Sequence, residues 1–128
     1  MTSSQIILYL FIALVVFMYL RKMMMMKSVK QYTPAQLADH LKQQTNIVLL
    51  DVRSSSERQQ HHIKGSIHIP LNEITGRLKE LERYKGQEII CYCLSGSRSV
   101  MAALKLKKQG FEVGNLKGGI SEWNFYHR

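Results

Sequence analysis

Apolar and polar positions divide the chain into one long apolar segment and a series of short elements that alternate in type. Residues 6–20 form an almost unbroken apolar run of fifteen, and residues 1–20 carry no charged side chain. A helix of that length extends about 22 Å, and flanking residues that snorkel to the interfaces close the gap to a bilayer core of roughly 30 Å. The pattern predicts one transmembrane helix, with residues 1–22 as an anchor and residues 23–31 as a basic juxtamembrane linker.

Two other interpretations of the apolar run are a cleaved signal peptide and a helix buried in a protein core. A signal peptide has basic residues before its apolar run and a small-residue cleavage site after it. Here the basic residues follow the run, and four of them crowd one short stretch: Arg21, Lys22, Lys27 and Lys30. A core helix is not expected at the extreme N-terminus of so small a domain. The positive-inside rule then predicts a single-pass protein of the cell membrane, with everything after the anchor on the cytoplasmic side.

Residues 32–128 alternate between patterns typical of helices and patterns typical of buried strands. Thr33, Pro34 and Gln36 combine an N-cap, a first-turn proline and a capping box, so we expect a helix from there to about Gln44. Residues 47–50 are a continuous apolar run, as expected of a strand covered on both faces. The further predicted strands are at 66–69, at 88–93 and within 111–116. The further predicted helices are a short helix at 54–60, a helix capped by Asn72, a helix at 100–109, and a last helix after Gly118 and Gly119 that carries Trp123. Two of these helices have a predicted apolar face, which consists of Leu71, Ile74, Leu78 and Leu81 in the helix capped by Asn72 and of Val100, Met101, Ala103 and Leu104 in the helix at 100–109.

This order of elements predicts the α/β class, with a mostly parallel central sheet flanked by helices on both faces. In such sheets ligands bind outside the carboxyl ends of the strands. Asp51 and Arg53 follow one predicted strand, and Cys93 ends another. We therefore expect the functional site at the edge of the sheet where these three residues lie.

The segment Cys93–Ser99, which reads Cys-Leu-Ser-Gly-Ser-Arg-Ser, connects a predicted strand to a predicted helix. A tight turn at Gly96 and the start of the helix direct backbone N–H groups and the positive end of the helix dipole at the Cys93 sulfur. Such surroundings lower the pKa of a thiol from about 8.5 into the range of roughly 3.5–7.5. Arg98 adds a positive charge to the same loop. The pattern predicts a thiolate nucleophile held in an anion cradle.

The other cysteine and the histidines give weaker signals for chemistry. Cys91 has nothing nearby in the sequence that would activate it, so we expect it to pack in the core, with a role in resolving an oxidised Cys93 as the alternative. The alternative interpretation of Cys93 is that it is a small apolar side chain buried in the core and not a nucleophile. His61 and His62 are adjacent on an irregular loop, and no second cluster has metal-ligand spacing, so no metal site is predicted.

The composition limits which cellular compartment and which classes of binding partner are expected. The chain has 18 Lys and Arg against 9 Asp and Glu, a formal net charge of +9, and two cysteines. Cys91 and Cys93 lie two residues apart on one predicted strand, a geometry that is poor for a disulfide between them. Unpaired cysteines are typical of a reducing compartment, which agrees with the predicted cytoplasmic orientation. The basic excess suits small anions or anionic lipid, and no interleaving of aromatic and basic residues indicates nucleic acid.

Three blocks of residues, taken in order, resemble a single-domain rhodanese, the sulfurtransferase family, over essentially all of residues 32–123. The blocks are Asp51-Val-Arg53 with Glu57 and the segment His62–Pro70, the loop Cys93–Ser99, and Gly110-Phe111 with Leu116–Gly119 and Trp123. The chain departs from the common pattern of the family at Arg58, His61 and His68. These positions lie beside the expected site, so the departures bear on substrate preference and not on the fold.

The resemblance implies a reaction and a role for each site residue. It implies that the Cys93 thiolate takes the outer sulfur of a donor such as thiosulfate, carries it as a persulfide and passes it to a thiol or cyanide acceptor, without a cofactor. It implies that Asp51 and Arg53 hold the loop, and that Arg98 either binds the anionic end of the donor or fixes the loop. The anionic sulfur is expected to be bound by the backbone N–H groups of Leu94, Ser95, Gly96, Ser97, Arg98 and Ser99.

Two alternative functions remain open at this point. A cysteine phosphatase of the same fold has five residues between its cysteine and its arginine, whereas four lie between Cys93 and Arg98. The tighter cradle suits a single sulfur better than a phosphate. A module that senses persulfide, or that delivers sulfur to a protein partner, would keep the same loop and the same cysteine.

Overall fold

The computed structural model describes residues 1–43 and 46–128 and contains one five-stranded sheet in which every pair of neighbouring strands is parallel. The strands are β1 (Lys30–Tyr32), β2 (Ile47–Asp51), β3 (Ile67–His68), β4 (Glu88–Tyr92) and β5 (Glu112–Leu116), in the spatial order β1-β5-β4-β2-β3. The central strand is β4, which leads directly to Cys93. The predicted parallel sheet is confirmed.

Helices precede the sheet and cover it. They are α1 (Ser3–Lys27), α2 (Pro34–Lys42), α3 (Ser55–Gln60), α4 (Ser97–Lys108) and α5 (Gly119–Tyr126), with 3-10 segments at Leu71–Glu73 and Thr75–Tyr84. Reciprocal capping boxes start α2 at Thr33 and α3 at Ser54, as their side-chain chemistry favours. The end of α2 is at Lys42, and the predicted end near Gln44 lies outside the described residues.

Side chains that alternate along the strands divide the core into two layers. Leu50 and Ile89 face one layer, where they pack with apolar residues of α4 and of the 3-10 segments. Their neighbours Leu49 and Ile90 face the other layer, with α2 and α5. Because successive residues of a strand point to opposite faces, one sheet buries helices on both sides. The predicted arrangement of helices on both faces is confirmed.

The segment between the apolar run and the domain differs from the predicted linker. α1 continues through four methionines to Lys27, because methionine and lysine are good helix formers. β1 begins at Lys30, so only Ser28 and Val29 separate the helix from the sheet. No strand was predicted there, since Lys-Gln-Tyr carries little apolar pattern; the strand forms because β5 offers it a free edge.

α1 is long and apolar enough to cross a membrane, and it is the one helix in residues 1–43 and 46–128 for which this is so. It is 25 residues long, and none of its residues is buried in the protein. The helix therefore makes no use of its apolar surface within the domain core.

The prediction that Asn72 caps a helix is wrong. The chain forms the short 3-10 segment Leu71–Glu73 without a side-chain cap, and the next segment is interrupted at Arg77, where φ is −125°. Gly76 lies just before the interruption, and glycine weakens a regular helix. Ile74 is nevertheless fully buried, so the predicted apolar face is retained in a less regular backbone.

The predicted apolar face of α4 is correct at Val100 and Ala103, which are buried, and wrong at Met101. Met101 is 54% exposed, whereas Ala102 and Leu106 are fully buried. The helix begins at Ser97 rather than at Val100, and it turns Ala102 and Leu106 toward the sheet. Met101 consequently lies on the outer surface, close to the end of α1.

Candidate active site

The carboxyl end of β4 brings Cys93 to the start of α4. Only Leu94, Ser95 and Gly96 separate Cys93 from Ser97, the first residue of the helix. Gly96 turns the chain with a φ of +108°, in the left-handed region that glycine adopts without strain. The turn is tight enough that the Cys93 side chain is fully buried under it.

Hydrogen-bond donors surround the Cys93 sulfur. The backbone N–H of Gly96 donates to Sγ at 3.0 Å, and the Ser99 hydroxyl oxygen lies 3.4 Å from Sγ. Burial acts to raise the pKa of Cys93, but the hydrogen bonds from the Ser99 hydroxyl and from the N–H groups of Ser99, Gly96 and Ser95 outweigh it and lower the pKa. These hydrogen bonds therefore stabilise the thiolate of Cys93 relative to the thiol.

Cys91 lies in surroundings of the opposite kind. It is fully buried in the apolar layer beneath α4, and both cysteines are free thiols. Burial, together with the nearby Cys93, raises the pKa of Cys91 to about 12. A thiol with that pKa stays protonated and unreactive near neutral pH, in line with a packing role.

The residues that follow Cys93 take two kinds of position. Ser95, Gly96 and Ser99 direct N–H or hydroxyl groups at the sulfur. The side chains of Leu94 and Ser97 point outward and are exposed, Leu94 to 49%. The loop therefore presents a polar interior to an anionic sulfur and an accessible outer rim.

The start of α5 supports the back of the loop, a role that the sequence analysis did not identify. The N–H of Ile120 donates to the carbonyl of Cys93 at 2.9 Å, and the N–H of Ser121 donates to the carbonyl of Leu94 at 3.1 Å. A Cβ at Gly119, whose φ is +63°, would clash with these two backbone carbonyls. The paired glycines before a short helix are the sequence signal for this close approach of two backbones.

Glu57 and Arg98 form a two-pronged ion pair across the mouth of the loop. The two terminal nitrogens of Arg98 donate to the two carboxylate oxygens of Glu57 at 2.7 Å and 2.8 Å. The same carboxylate accepts a hydrogen bond from the backbone N–H of Ser54 at 3.2 Å, as part of the capping box of α3. Glu57 thereby links the first turn of α3 to the first turn of α4.

Asp51 and Arg53 form a buried ion pair at the end of β2. Arg53 Nε and one terminal nitrogen donate to the Asp51 carboxylate at 3.0 Å and 2.9 Å. Burial acts to raise the pKa of Asp51, but the hydrogen bonds from Arg53 outweigh it and lower the pKa. The further hydrogen-bond partners of the pair are Arg58, His61 and Tyr92. Within the described residues, neither Asp51 nor Arg53 forms a hydrogen bond with the loop of residues 93–99. Their connection to the loop is the hydrogen bond from the hydroxyl of Tyr92, the residue before Cys93, to the Asp51 carboxylate.

The histidines near the site bind protein groups. His61 contacts the side chain of Asn124 at 3.0 Å, His62 contacts the carbonyl of Arg58 at 3.2 Å, and His68 contacts the carbonyl of Arg53 at 2.7 Å. No group of three or more His, Cys, Asp or Glu residues in ranges 1–43 and 46–128 is arranged to hold a metal ion.

Comparison with known proteins connects this geometry to one family. The sequence model described as Rhodanese-like domain matches residues 33–125. A sulfurtransferase of Allochromatium vinosum is 32% identical over 96 residues, which are 74% of this chain and 88% of that protein. YrkF of Bacillus subtilis, named as a sulfur carrier protein, is 46% identical over 76 residues. Those residues are 59% of this chain but 40% of YrkF, so the chain spans less than half of that relative.

The fold has counterparts among solved structures. A crystal structure of a rhodanese-related protein from Thermoplasma volcanium superimposes with a TM-score of 0.68 at 30% sequence identity. The match covers 76% of this chain and 92% of that chain. The likeness therefore extends over nearly the whole of that protein.

Proposed function

The chain belongs to the rhodanese-like family of sulfurtransferases and sulfur carriers, and we propose that its Cys93 carries a sulfur atom as a persulfide between a donor and an acceptor. The observation that carries this proposal is the set of donors at Cys93 Sγ, with the Gly96 N–H at 3.0 Å and the Ser99 hydroxyl at 3.4 Å. These groups favour the thiolate, which is the form of cysteine that attacks a sulfur–sulfur bond.

In the first half-reaction the Cys93 thiolate attacks the outer sulfur of thiosulfate. A new sulfur–sulfur bond forms, the bond to the sulfonate group breaks, and its electron pair leaves with sulfite. In the second half-reaction an acceptor thiolate attacks the outer sulfur of the persulfide, and the Cys93 thiolate is the leaving group. Each half-reaction balances without a proton, an external electron or a cofactor.

The loop has the chemistry to stabilise the intermediate. A persulfide on Cys93 carries its negative charge on the outer sulfur, and the backbone N–H groups of the loop are preorganised donors for such a charge. The C-terminal end of β4 and the first turn of α4 hold these N–H groups in position before the reaction, so little reorganisation accompanies the transfer. Four residues separate Cys93 from Arg98, one fewer than in the cysteine phosphatases of this fold. The shorter loop suits a single sulfur better than a phosphate group, so we favour sulfur transfer over phosphate ester hydrolysis.

Thiosulfate or a persulfide is the proposed donor, and a small thiol, cyanide or a protein thiol is the proposed acceptor. Delivery to a protein partner is the second candidate function, because Leu94, which is 49% exposed, lies beside the buried Cys93 on the rim of the loop. An exposed leucine at the mouth of a site offers a protein surface an apolar contact.

We also propose that α1 anchors the protein in the cell membrane by a single pass, with the folded domain in the cytoplasm. Its 25 residues are apolar over most of their length, and none is buried. The positive charges of Arg21, Lys22 and Lys27 follow the apolar run, which favours a cytoplasmic location for the C-terminal end of the helix.

The persulfide is tested by the intact mass of the full-length protein in detergent after incubation with thiosulfate. We expect a gain of one sulfur, roughly 32 Da, in the wild type and in Cys91→Ala, and no gain in Cys93→Ala. Sulfite release in the same samples measures the first half-reaction. A gain of mass that persists in Cys93→Ala, or that disappears in Cys91→Ala alone, contradicts the proposal.

A further inference from the structure

A groove of about 450 Å³ lies between the end of α1 and the start of α4. Its walls are mostly apolar, and the apolar side chains that line it are Met18, Met25 and Met26 of α1 and Val100, Met101 and Leu104 of α4. Met101 is 54% exposed, which is a large apolar exposure for a side chain so close to the loop of Cys93. A methionine-rich groove adapts readily to flexible apolar ligands.

The two walls of the groove are held together by the fold. Only Ser28 and Val29 join α1 to β1, and Val29 is 2% exposed within the core of the domain. Lys107 Nζ of α4 donates to the carbonyl of Ser28 at 3.0 Å. α1 therefore continues into the sheet through a buried residue and a hydrogen bond to α4, and the groove is part of the fold rather than a chance approach of a loose tether.

The charge of the groove is positive. Arg21 and Lys22 are its charged lining residues, and its lining contains no acidic residue. In the part of the chain that the structure describes, neither of these two side chains makes an ion pair or a side-chain hydrogen bond. Two uncompensated cations beside an apolar groove are complementary to an anionic head group joined to a hydrocarbon chain.

We propose that this groove binds an anionic phospholipid of the cytoplasmic leaflet, with the phosphate at Arg21 and Lys22, one acyl chain in the bilayer beside Met18, and the other acyl chain turned out of the bilayer against Met25 and Met101. The proposal rests on the membrane anchoring proposed above, since the groove begins where the apolar run of α1 ends.

A lipid in the groove would fix where sulfur transfer takes place. Ser97 and Val100 belong both to the groove and to the first turn of α4, which holds the Cys93 loop. The mouth of the site then lies at the membrane surface.

Photochemical crosslinking of the full-length protein in lipid nanodiscs tests the groove. Benzoylphenylalanine replaces Met101 in one sample and Phe125 in the control, because Phe125 on α5 is 66% exposed and does not line the groove. In discs that contain dioleoyl phosphatidylglycerol we expect a covalent lipid adduct at position 101 and none at position 125. The double change Arg21→Gln and Lys22→Gln should reduce the adduct about thirtyfold when the anionic lipid is limiting, as expected for the loss of two surface charges.

Three results would overturn the lipid site: no lipid adduct at position 101, equal adducts at positions 101 and 125, or an adduct to a second copy of the chain instead of lipid. Failure of the protein to enter the discs would overturn both the anchor and the lipid site. Persulfide formation from thiosulfate is measured in the same discs. An intact persulfide without a lipid adduct contradicts the lipid site alone, and a lipid adduct without a persulfide contradicts the sulfur-transfer function alone.

Discussion

Glu57 binds Arg98 with both carboxylate oxygens, at 2.7 Å and 2.8 Å from the two terminal guanidinium nitrogens. The hydrogen bonds from Arg98 lower the pKa of Glu57 to about 2, so the carboxylate remains charged throughout the physiological pH range. Arg98 is the one cation in the loop of residues 93–99. Its charge is therefore compensated in the free protein, and an anionic donor that bound Arg98 would compete with Glu57 for it.

Removing the charge of Glu57 should strengthen the binding of thiosulfate. In Glu57→Gln the Arg98 guanidinium loses its counter-ion and becomes available to the two negative charges of the donor. We expect the KM for thiosulfate to fall about twofold to fivefold, the range typical of one partly exposed charge pair. Glu82→Gln is the matched control, since Glu82 pairs with Lys85 outside the site. A KM that is unchanged or higher in Glu57→Gln would mean that the ion pair positions the loop rather than compensating its charge.

The reactivity of Cys93 should reveal its lowered pKa. The rate of alkylation by iodoacetamide should reach half its maximum below the usual thiol pKa of about 8.5, because the thiolate is the reacting form. Ser99→Ala removes the hydroxyl 3.4 Å from Sγ and should raise this midpoint by up to about one unit. Ser97→Ala is the control, since Ser97 is an exposed serine of the same turn. Equal midpoints in the two variants would exclude a role for the Ser99 hydroxyl.

Alanine at Gly119 should displace the loop. The added Cβ would clash with the backbone carbonyls of Cys93 and Leu94, in addition to the cost of a left-handed backbone. We expect persulfide formation to slow about a hundredfold, as is typical when a reacting group moves by about 1 Å. Gly110→Ala is the matched control, because Gly110 also has a positive φ, +87°, but open space around it. Similar rates in both variants would show that the contact with α5 does not position the sulfur.

Asp51 should be a main support of stability at neutral pH. Asp51→Asn leaves the buried Arg53 cation without its counter-ion, which costs roughly 3 kcal/mol or more. A loss of that size should lower the melting temperature of the detergent-solubilised protein by at least about 10 °C. Asp39→Asn, the same change at an exposed position of α2, should have little effect.

The contribution of Asp51 should also depend on pH. Its pKa is lowered in the folded protein from its usual 3.8, so its contribution is present above that value and is lost as the pH falls through the folded pKa. The wild type should therefore lose stability more steeply than Asp51→Asn below about pH 4. Parallel melting curves for the two proteins on acidification would contradict this assignment.

The proposed topology predicts which side of the membrane holds the domain. A protease added to intact cells should leave a tag at the C-terminus uncut, and disruption of the cells should expose it, because the cationic end of α1 is expected in the cytoplasm. Cleavage of the tag in intact cells would reverse the orientation. A mature protein that starts near Met23 would instead identify the apolar run as a cleaved signal peptide.

Local order along the chain accounts for the parts of the site that sequence reasoning anticipated. A strand, a turn at Gly96 and a helix follow one another within a few residues, so the placement of Cys93 among backbone N–H groups depends on neighbours in the chain. The capping box that starts α2, which the sequence predicted, is local for the same reason. The alternation of apolar strands with helices was sufficient to predict a parallel sheet with helices on both faces.

Contacts between distant residues could not be derived in this way. Glu57 lies 41 positions before Arg98, and the support of Cys93 by Ile120 joins the end of β4 to the start of α5, which only the sheet brings together. Polar side chains have many potential partners, and apolar periodicity assigns a residue to a face without assigning it a partner.

The sequence by itself determined the apolar helix, the alternation of the strands β2 to β5 with helical segments, and the strand–turn–helix that surrounds Cys93, because each depends on residues adjacent in the chain. Tertiary structure alone decided that β1 pairs with β5, that Met101 faces outward and that Glu57 compensates Arg98. These features depend on strand register and on how the helices lie against the sheet, and both are set by the packing of the whole core.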